Sequence, residues 1–593
     1  MRISDGRFRM NRDQIKEQIA QLPGGNITYK TINGKRYPYY QWSENGKQRA
    51  RVVKADEFDD LSDKIEQRKA LQKKLRQSDT VIVAPENESY SAVIKCGTEL
   101  NDFVAPVKQL KKRECYAMLR EYVYGDCTDR ICILYGLRRT GKTTLIRQLI
   151  AEMSKDMLSH TAFIQITPGM DMARMNLDMK KLTEHGYRYV FIDEVTLMED
   201  FIEGAALFSD VYASSGMKIV LSGTDSLGFM LSKSDQLYDR CILLHTTFIP
   251  YREFERVLGI KGIDEYIRYG GTMSIGGINY NKESIFSSDK DVSAYVDSAI
   301  AKNIQHSLRY YQDGGHFRHL IDLYEKNELT NAINRVVEDI NHRFTADVLT
   351  REFTSTDLSV SARNLRKDKK QPISILDEID RPAFTKRLKD MLEILNKEEQ
   401  RVEIESVYAS EIEEYLRLLD LVYYIDVRSF PNINDSRKRI VISQSGMRYA
   451  QAKALVNSLL KDERFNTLSL QERNAVISRI LSEISGRMME DIVLLETKMS
   501  YPDKEVFKLQ FAVGEFDMVV FSPDTASCEI YEVKYSKEAV KAQCKHLLDE
   551  EKCDMTEFRF GDITGKYIIY RGKTQEANGV HYVNVEEYLK GLE

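Results

Sequence analysis

Hydrophobic positions along the chain follow three different patterns. Between residues 105 and 257 they form short apolar runs, ICILYG, TAFIQI, YVFIDE and KIVLSG, separated by stretches of helical spacing. Runs this short predict strands of a parallel sheet buried on both faces, and their alternation with helices predicts an α/β layer. Ahead of them, NITYKTINGKRYPYYQW places β-prone residues on both sides of Asn33-Gly34, a strong hairpin signal, and Glu44-Asn45-Gly46 offers a second turn into KQRARVV. A charged helix is expected from about Glu57 to Gln77. Residues 258–330 and 331–450 read as helical with one strand-like stretch, RKRIVIS. In this middle part Tyr415, Leu416, Leu418, Leu419, Leu421 and Val422 recur at helical spacing and are expected to form core. Residues 485–593 return to mixed α/β.

The expectation is therefore a multidomain α/β chain. A small β-meander with a helix occupies 1–77, a linker 78–104, and a parallel-sheet core 105–257. A helical lid follows at 258–330, a helical domain at 331–460, and a second α/β domain at 485–593. Length agrees, because 593 residues exceed what one hydrophobic core organises.

Composition narrows the class. With 42% apolar and 30% charged residues the chain reads as an ordinary soluble protein, and no apolar run approaches the roughly 20 residues needed to span a bilayer. The opening MRISDGRFRMNRDQ lacks the apolar core of a secretory signal. Eight scattered cysteines show neither metal-ligand spacing nor disulfide density, so a reducing cytoplasm is expected. At a net charge of −5, contact with DNA must come from local basic patches. One candidate interleaves Lys30, Lys35, Arg36, Lys47, Arg49 and Arg51 with Tyr29, Tyr37, Tyr39, Tyr40 and Trp42. It reads as a grip on a nucleic-acid backbone, as a protein-partner surface or as a plain solvated cationic face. The cluster Arg363–Pro372, RNLRKDKKQP, is either a phosphate contact or a solvated loop.

The chemistry begins at Gly136-Leu-Arg-Arg-Thr-Gly-Lys-Thr143, which matches G-x-x-x-x-G-K-[ST] between a predicted strand and a predicted helix. Gly136 and Gly141 let backbone N–H groups curl around phosphate oxygens, with Arg139, Thr140 and Thr144 completing the loop and its exit. Lys142 would reach the β- and γ-phosphates of ATP, and Thr143 would ligate Mg²⁺. YVFIDEV ends an apolar strand in Asp193-Glu194, where Asp193 would hold the Mg²⁺ shell and Glu194 would polarise the attacking water. Beyond the next strand, Ser222, Thr224 or Asp225 is a candidate γ-phosphate sensor. Arg240 is a candidate cation acting within the chain or across a subunit boundary.

GLRRTGKTTLIRQL, YVFIDEV, LSGTDS and DRCILLHTTFIPYREF, in that order, resemble a prokaryotic branch of AAA-type ATPases. YIRYGGTM resembles the glycine pair that opens the helical lid of that branch. Asp239-Arg240 stands where the branch usually has Gly-Arg. The resemblance covers roughly residues 110–450 and implies ATP and Mg²⁺ as cofactors, with a ring of subunits left open. EIEEYLRLLDLVYYIDV followed by RKRIVISQSGMRYA resembles the winged-helix module that commonly follows the lid.

A second constellation lies in VGEFDMVVFSPDTASCEIYEVKYS. A hairpin symmetric about Asp524-Thr525 sets Asp517 opposite Glu532, and strand alternation puts Glu532 and Lys534 on one face. Two carboxylates can hold Mg²⁺ while a lysine beside them orients or deprotonates a water. This segment resembles the D…(D/E)-x-K core of restriction-endonuclease-like nucleases. That resemblance implies roles for Glu490, as the helix-borne acid, and for Gln543, on the helix after the lysine strand. Together these readings point to ATP turnover controlling a C-terminal DNA nuclease, an architecture associated with defence or mobile elements. The alternatives are a non-cutting ATPase switch that clamps DNA and an ATPase that remodels a protein partner through its N-terminal module.

Overall fold

A computed structural model describes residues 21–32, 35–44, 47–78, 90–167, 169–198, 200–224, 237, 239–272, 319–320, 323, 328–354, 406–432, 436–459 and 470–592. Asn33-Gly34, Asn45-Gly46, Asp225 and the Arg363–Pro372 cluster lie outside them, as do the side chains of Tyr29, Lys30, Lys35, Arg36, Tyr37 and Lys47.

The chain divides into two compact units. The smaller one carries the meander: β1 (Asn26–Ile32), β2 (Lys35–Glu44) and β3 (Lys47–Val52), all antiparallel. Ile32 pairs with Lys35 and Glu44 with Lys47, the last pairs of the two hairpins. The helix Ala55–Ser78 follows, and Tyr40, Val53 and Ile65 form a small core with Trp42 stacked 5.0 Å from Tyr40.

Two more sheets follow, lying in the larger unit except for Lys95, Cys96 and Thr161. The first comprises β4 (Val93–Cys96), β5 (Ile131–Tyr135), β6 (Thr161–Gln165), β7 (Tyr189–Asp193), β8 (Lys218–Gly223) and β9 (Cys241–His245), in the order β4-β6-β7-β8-β5-β9. β5 runs parallel to β8 and β9, and β7 to β8. Ile131–Leu134 are all buried, which is why β5 had to be an uninterrupted apolar run. β4 and the helix Thr98–Val104 occupy the second half of the stretch read as a linker.

The second sheet comprises β10 (Val422–Ser429), β11 (Arg437–Ile442), β12 (Glu505–Gln510), β13 (Glu515–Ser522), β14 (Ser527–Lys534), β15 (Asp562–Tyr570), β16 (Gln575–Ala577) and β17 (Val580–Asn584). Its order is β11-β10-β12-β13-β14-β15-β17-β16. The β10–β11 hairpin joins it through parallel pairing with β12, Asp426 opposite Phe507. Residues 422–442 therefore belong to the same sheet as 505–584, across the boundary expected between 460 and 485.

One expectation is corrected here. Tyr415, Leu416, Leu419, Leu421 and Val422 are all buried, as expected of core, but the helix stops short of Leu421 and Val422. The helix Ser406–Leu418 is closed by Asp420, whose φ of 56° is left-handed, with the Leu421 N–H donating to Leu416 O. The β-branched and aromatic run VYYIDV then extends as β10.

The helix Leu470–Ser500 lies against the second sheet, and its Ile484, Met488 and Val493 share a core with Met518, Val533 and Ile569. Tyr251 and Phe254 of the helix Tyr251–Leu258, and Ile263 and Tyr266 of the helix Ile263–Tyr269, belong to that same core. The segment leaving the first sheet is thus packed directly onto the second. All eight cysteines are free thiols. Among the described residues no helix is long and apolar enough to cross a membrane, and no three His, Cys, Asp or Glu side chains form a ready metal cluster.

Candidate nucleotide site and C-terminal carboxylate site

β5 delivers the loop Gly136–Gly141 to the C-terminal edge of the first sheet, and the helix Lys142–Glu152 carries it away. Gly136 has φ of 142° and Gly141 of 94°, and a Cβ on Gly136 would stand 2.3 Å from Thr246 O, so both glycines are required. Arg139 also takes a left-handed φ, 68°. Thr140 Oγ1 bonds Leu137 O and Thr246 Oγ1, each at 2.8 Å. Lys142 is buried, donating to Gly136 O at 2.8 Å and Leu137 O at 2.9 Å. Burial pushes its ammonium down to about 8.

The acids predicted for this site meet the loop. Thr143 Oγ1 donates to Asp193 Oδ2 at 2.8 Å, and Ser222 Oγ donates to Asp193 Oδ1. Glu194 sits in the left-handed region at φ 55° with its carboxylate accepting from Thr224 Oγ1 at 3.1 Å. Thr144 lies in the first turn of the same helix. Arg240 is not brought to the loop of its own chain. It precedes β9 at the end where Ile131 N donates to Arg240 O, about 16 Å from the loop at the usual strand rise. There it pairs with Asp210 at 2.8 Å.

A residue that sequence reasoning missed anchors the loop from beneath. Arg113 is buried and ion-paired to Glu253, and it donates to Thr140 O at 2.9 Å, Thr247 O at 3.0 Å and Phe248 O at 3.2 Å. The available signal was Glu253 in the IPYREF turn, an acid in an apolar setting that needs a buried partner.

The second site forms at the centre of the second sheet. Val519 pairs with Ile530 and Met518 with Tyr531, the register of a hairpin symmetric about Asp524-Thr525, so Asp517 comes beside Glu532. Asp517 Oδ2 accepts from Val533 N at 2.9 Å and Lys534 Nζ at 3.2 Å, and Lys534 also donates to Glu532 Oε2. Both acids are buried, and Glu532 Oε1 has no hydrogen-bond partner. Burial and the neighbouring Asp517 hold the Glu532 carboxyl well above its ordinary range. Asp517 is held down, to about 2, by Lys534 and Lys508 against the desolvation that opposes it. Asp517 and Glu532 keep Lys534 firmly protonated.

Glu490 is near but otherwise engaged. It pairs with Arg439 at 2.8 Å, Arg487 at 2.6 Å and Lys508 at 2.7 Å, which drive its carboxyl well below the usual range against its own desolvation. Lys508, the second residue sequence reasoning missed, also lies 3.3 Å from Asp517 Oδ1. Gln543 falls in a single 3-10 turn, Lys541–Cys544, rather than in the expected helix. Its side chain spans that turn, accepting from Val540 N at 3.1 Å and donating to Ser536 Oγ at 2.8 Å.

With this geometry in place, comparison with known proteins gives the following. A family model described as an AAA domain matches residues 128–255, and one described as a domain of unknown function matches residues 8–63. An uncharacterized protein of Methanocaldococcus jannaschii is 26% identical over 212 residues, covering 34% of this chain and 44% of that protein. The chain thus matches less than half the length of that relative. Among solved structures, the Orc1 protein of Aeropyrum pernix in complex with DNA aligns over 64% of this chain and 100% of its own, at 12% identity and a TM-score of 0.21. A katanin structure concerned with self-assembly aligns over 40% of this chain and 87% of its own, at 15% identity and a TM-score of 0.18. Likeness at those scores carries no argument. The match and the geometry agree: residues 128–255 match an AAA-type P-loop domain, with the loop after β5, the acids ending β7 and Ser222 and Thr224 at the end of β8 meeting at one edge of the sheet.

Proposed function

We propose that the AAA-type core hydrolyses ATP and that this turnover controls a Mg²⁺-dependent DNA nuclease at Asp517, Glu532 and Lys534. In the nucleotide site, Lys142 exchanges the carbonyls of Gly136 and Leu137 for the β- and γ-phosphate oxygens. Thr143 and Asp193, already in contact, would hold Mg²⁺, which neutralises charge developing on the phosphates. Glu194, steadied by Thr224, orients the attacking water. In the C-terminal site, Asp517 and Glu532 would hold the divalent ion, and the orphaned Glu532 Oε1 is the acceptor that fits it. Lys534, which donates to both carboxylates, stands where it can orient the attacking water or take its proton.

The observation that carries this reading is the convergence of the buried Asp517 and Glu532 with the half-buried Lys534, one carboxylate oxygen being left without a partner. The test is a cleavage assay on single- and double-stranded DNA with ATP and Mg²⁺ or Mn²⁺. Lys534→Ala is expected to abolish cutting while ATP turnover persists, and Lys142→Ala to abolish turnover. A wild-type chain that cuts no substrate under any of these conditions would falsify the nuclease reading. The Lys508–Asp517 pair favours a second reading, in which the carboxylates are permanently satisfied by lysines and the domain clamps DNA without cutting. The meander is proposed to contact DNA or a protein partner, and gel shifts with it and with its arginine variants distinguish the two.

A further inference from the structure

Lys508 does something the nuclease reading does not require. It rises from β12 with its side chain 1% exposed, and its ammonium meets three carboxylates: Glu490 Oε1 at 2.7 Å, Glu515 Oε1 at 2.8 Å and Asp517 Oδ1 at 3.3 Å. A cation in contact with three acid oxygens takes an electrostatic role that a divalent ion can fill in a carboxylate site. On the other side of Asp517 stand Lys534 and Glu532, whose Oε1 is buried without a partner. Asp517 is therefore shared between two lysines, one belonging to the D…(D/E)-x-K pattern and one outside it.

We propose that Lys508 is a tethered counter-ion that locks the C-terminal site against divalent metal. The site loads metal only when the Lys508 ammonium leaves Asp517 and is held by Glu490 and Glu515 alone. This rests on the reading of Asp517 and Glu532 as metal ligands. The lock has a route to the rest of the molecule. Glu490 is also held by Arg439 of β11 and Arg487 of its own helix, and the adjoining Asp491 is held by Arg439 and by Arg448 at 2.6 Å. Arg448 in turn donates to Asn341 at 3.2 Å, on the helix Leu329–Thr354. A shift of that helix or of the β10–β11 hairpin thus moves the groups that retain Lys508.

The experiment is Mn²⁺ titration of the full chain without nucleotide, followed by the electron paramagnetic resonance of free Mn²⁺, in an Asp193→Asn background that disables the nucleotide site. Lys508→Gln is expected to tighten Mn²⁺ binding at least tenfold over that background, and further addition of Asp517→Asn to abolish the gain. Because Lys508→Gln leaves buried acids uncompensated, the charge-balanced pair Lys508→Met with Glu490→Gln is measured alongside, with the same expectation. Unchanged affinity in both, while Asp517→Asn alone still weakens binding, overturns the lock and leaves the metal site standing. If neither Asp517→Asn nor Glu532→Gln alters Mn²⁺ binding in any background, the metal-site reading itself falls.

Discussion

Burial lowers the Lys142 ammonium to about 8, while phosphate oxygens arriving beside it restore its charge. Between about pH 8 and the ordinary lysine range near 10.4 the unfolded chain binds more protons than the folded one, so this residue makes stability rise with pH across that window. ATP binding reverses the shift and must draw a proton from solvent there. Calorimetry at pH 9 in two buffers of different ionisation enthalpy is expected to show uptake approaching one proton per ATP, and uptake near zero contradicts it. The residues of this site were legible in the sequence because a phosphate loop dictates residue type at fixed spacing: Gly where φ is positive, Lys and Thr where the helix begins. Arg113 and Lys508 were not legible. Arginine and lysine are usually solvated, and only the three-dimensional packing shows that these two are buried among acceptors.

At the level of elements, the loop depends on being pinned to β9 and to the turn that follows it. Gly136→Ala sets a methyl group 2.3 Å from Thr246 O in a backbone region hostile to side chains. The expected outcome is a chain less stable by about 1–3 kcal/mol in urea unfolding, with ATP affinity lost because the loop must move away from Thr246. Arg113→Met leaves Glu253 buried without its counter-charge, which typically costs about 3–5 kcal/mol. Glu253→Gln together with Arg113→Met should recover much of that loss, and a double variant no better than the single would show that the pair is not the cause. Strands β5 to β8 were readable as apolar runs because each is covered on both faces. The end of the helix Ser406–Leu418 was not readable, since Leu421 and Val422 keep a helical spacing that only the left-handed Asp420 interrupts.

Across the whole molecule, the joint between the two sheets has its own titration. Glu496, on the helix Leu470–Ser500, is fully enclosed and accepts the Tyr251 N–H at 2.8 Å, with Arg252 and Glu114 nearby. Burial raises its carboxyl to about 7. The folded state therefore holds a proton that the unfolded chain releases near pH 4, so this group's contribution is full at low pH and is lost as pH rises through 7. The melting temperature is expected to fall between pH 5 and pH 8, and Glu496→Gln to flatten that slope. A slope unaltered by the substitution would assign it to other groups. The division into an ATPase core and a second α/β region was visible in the sequence. The merging of 422–442 into the second sheet was not, because a hairpin is equally content as a wing or as an edge. That merger has a consequence for how the molecule comes into being. Asp426 waits for Phe507, 81 positions later in synthesis, before β10 finds its parallel neighbour. Contacts that distant are slow to form, so the nascent β10–β11 hairpin leaves the ribosome with an open edge. It is during that interval, more than in the finished fold, that this chain stands to need a chaperone.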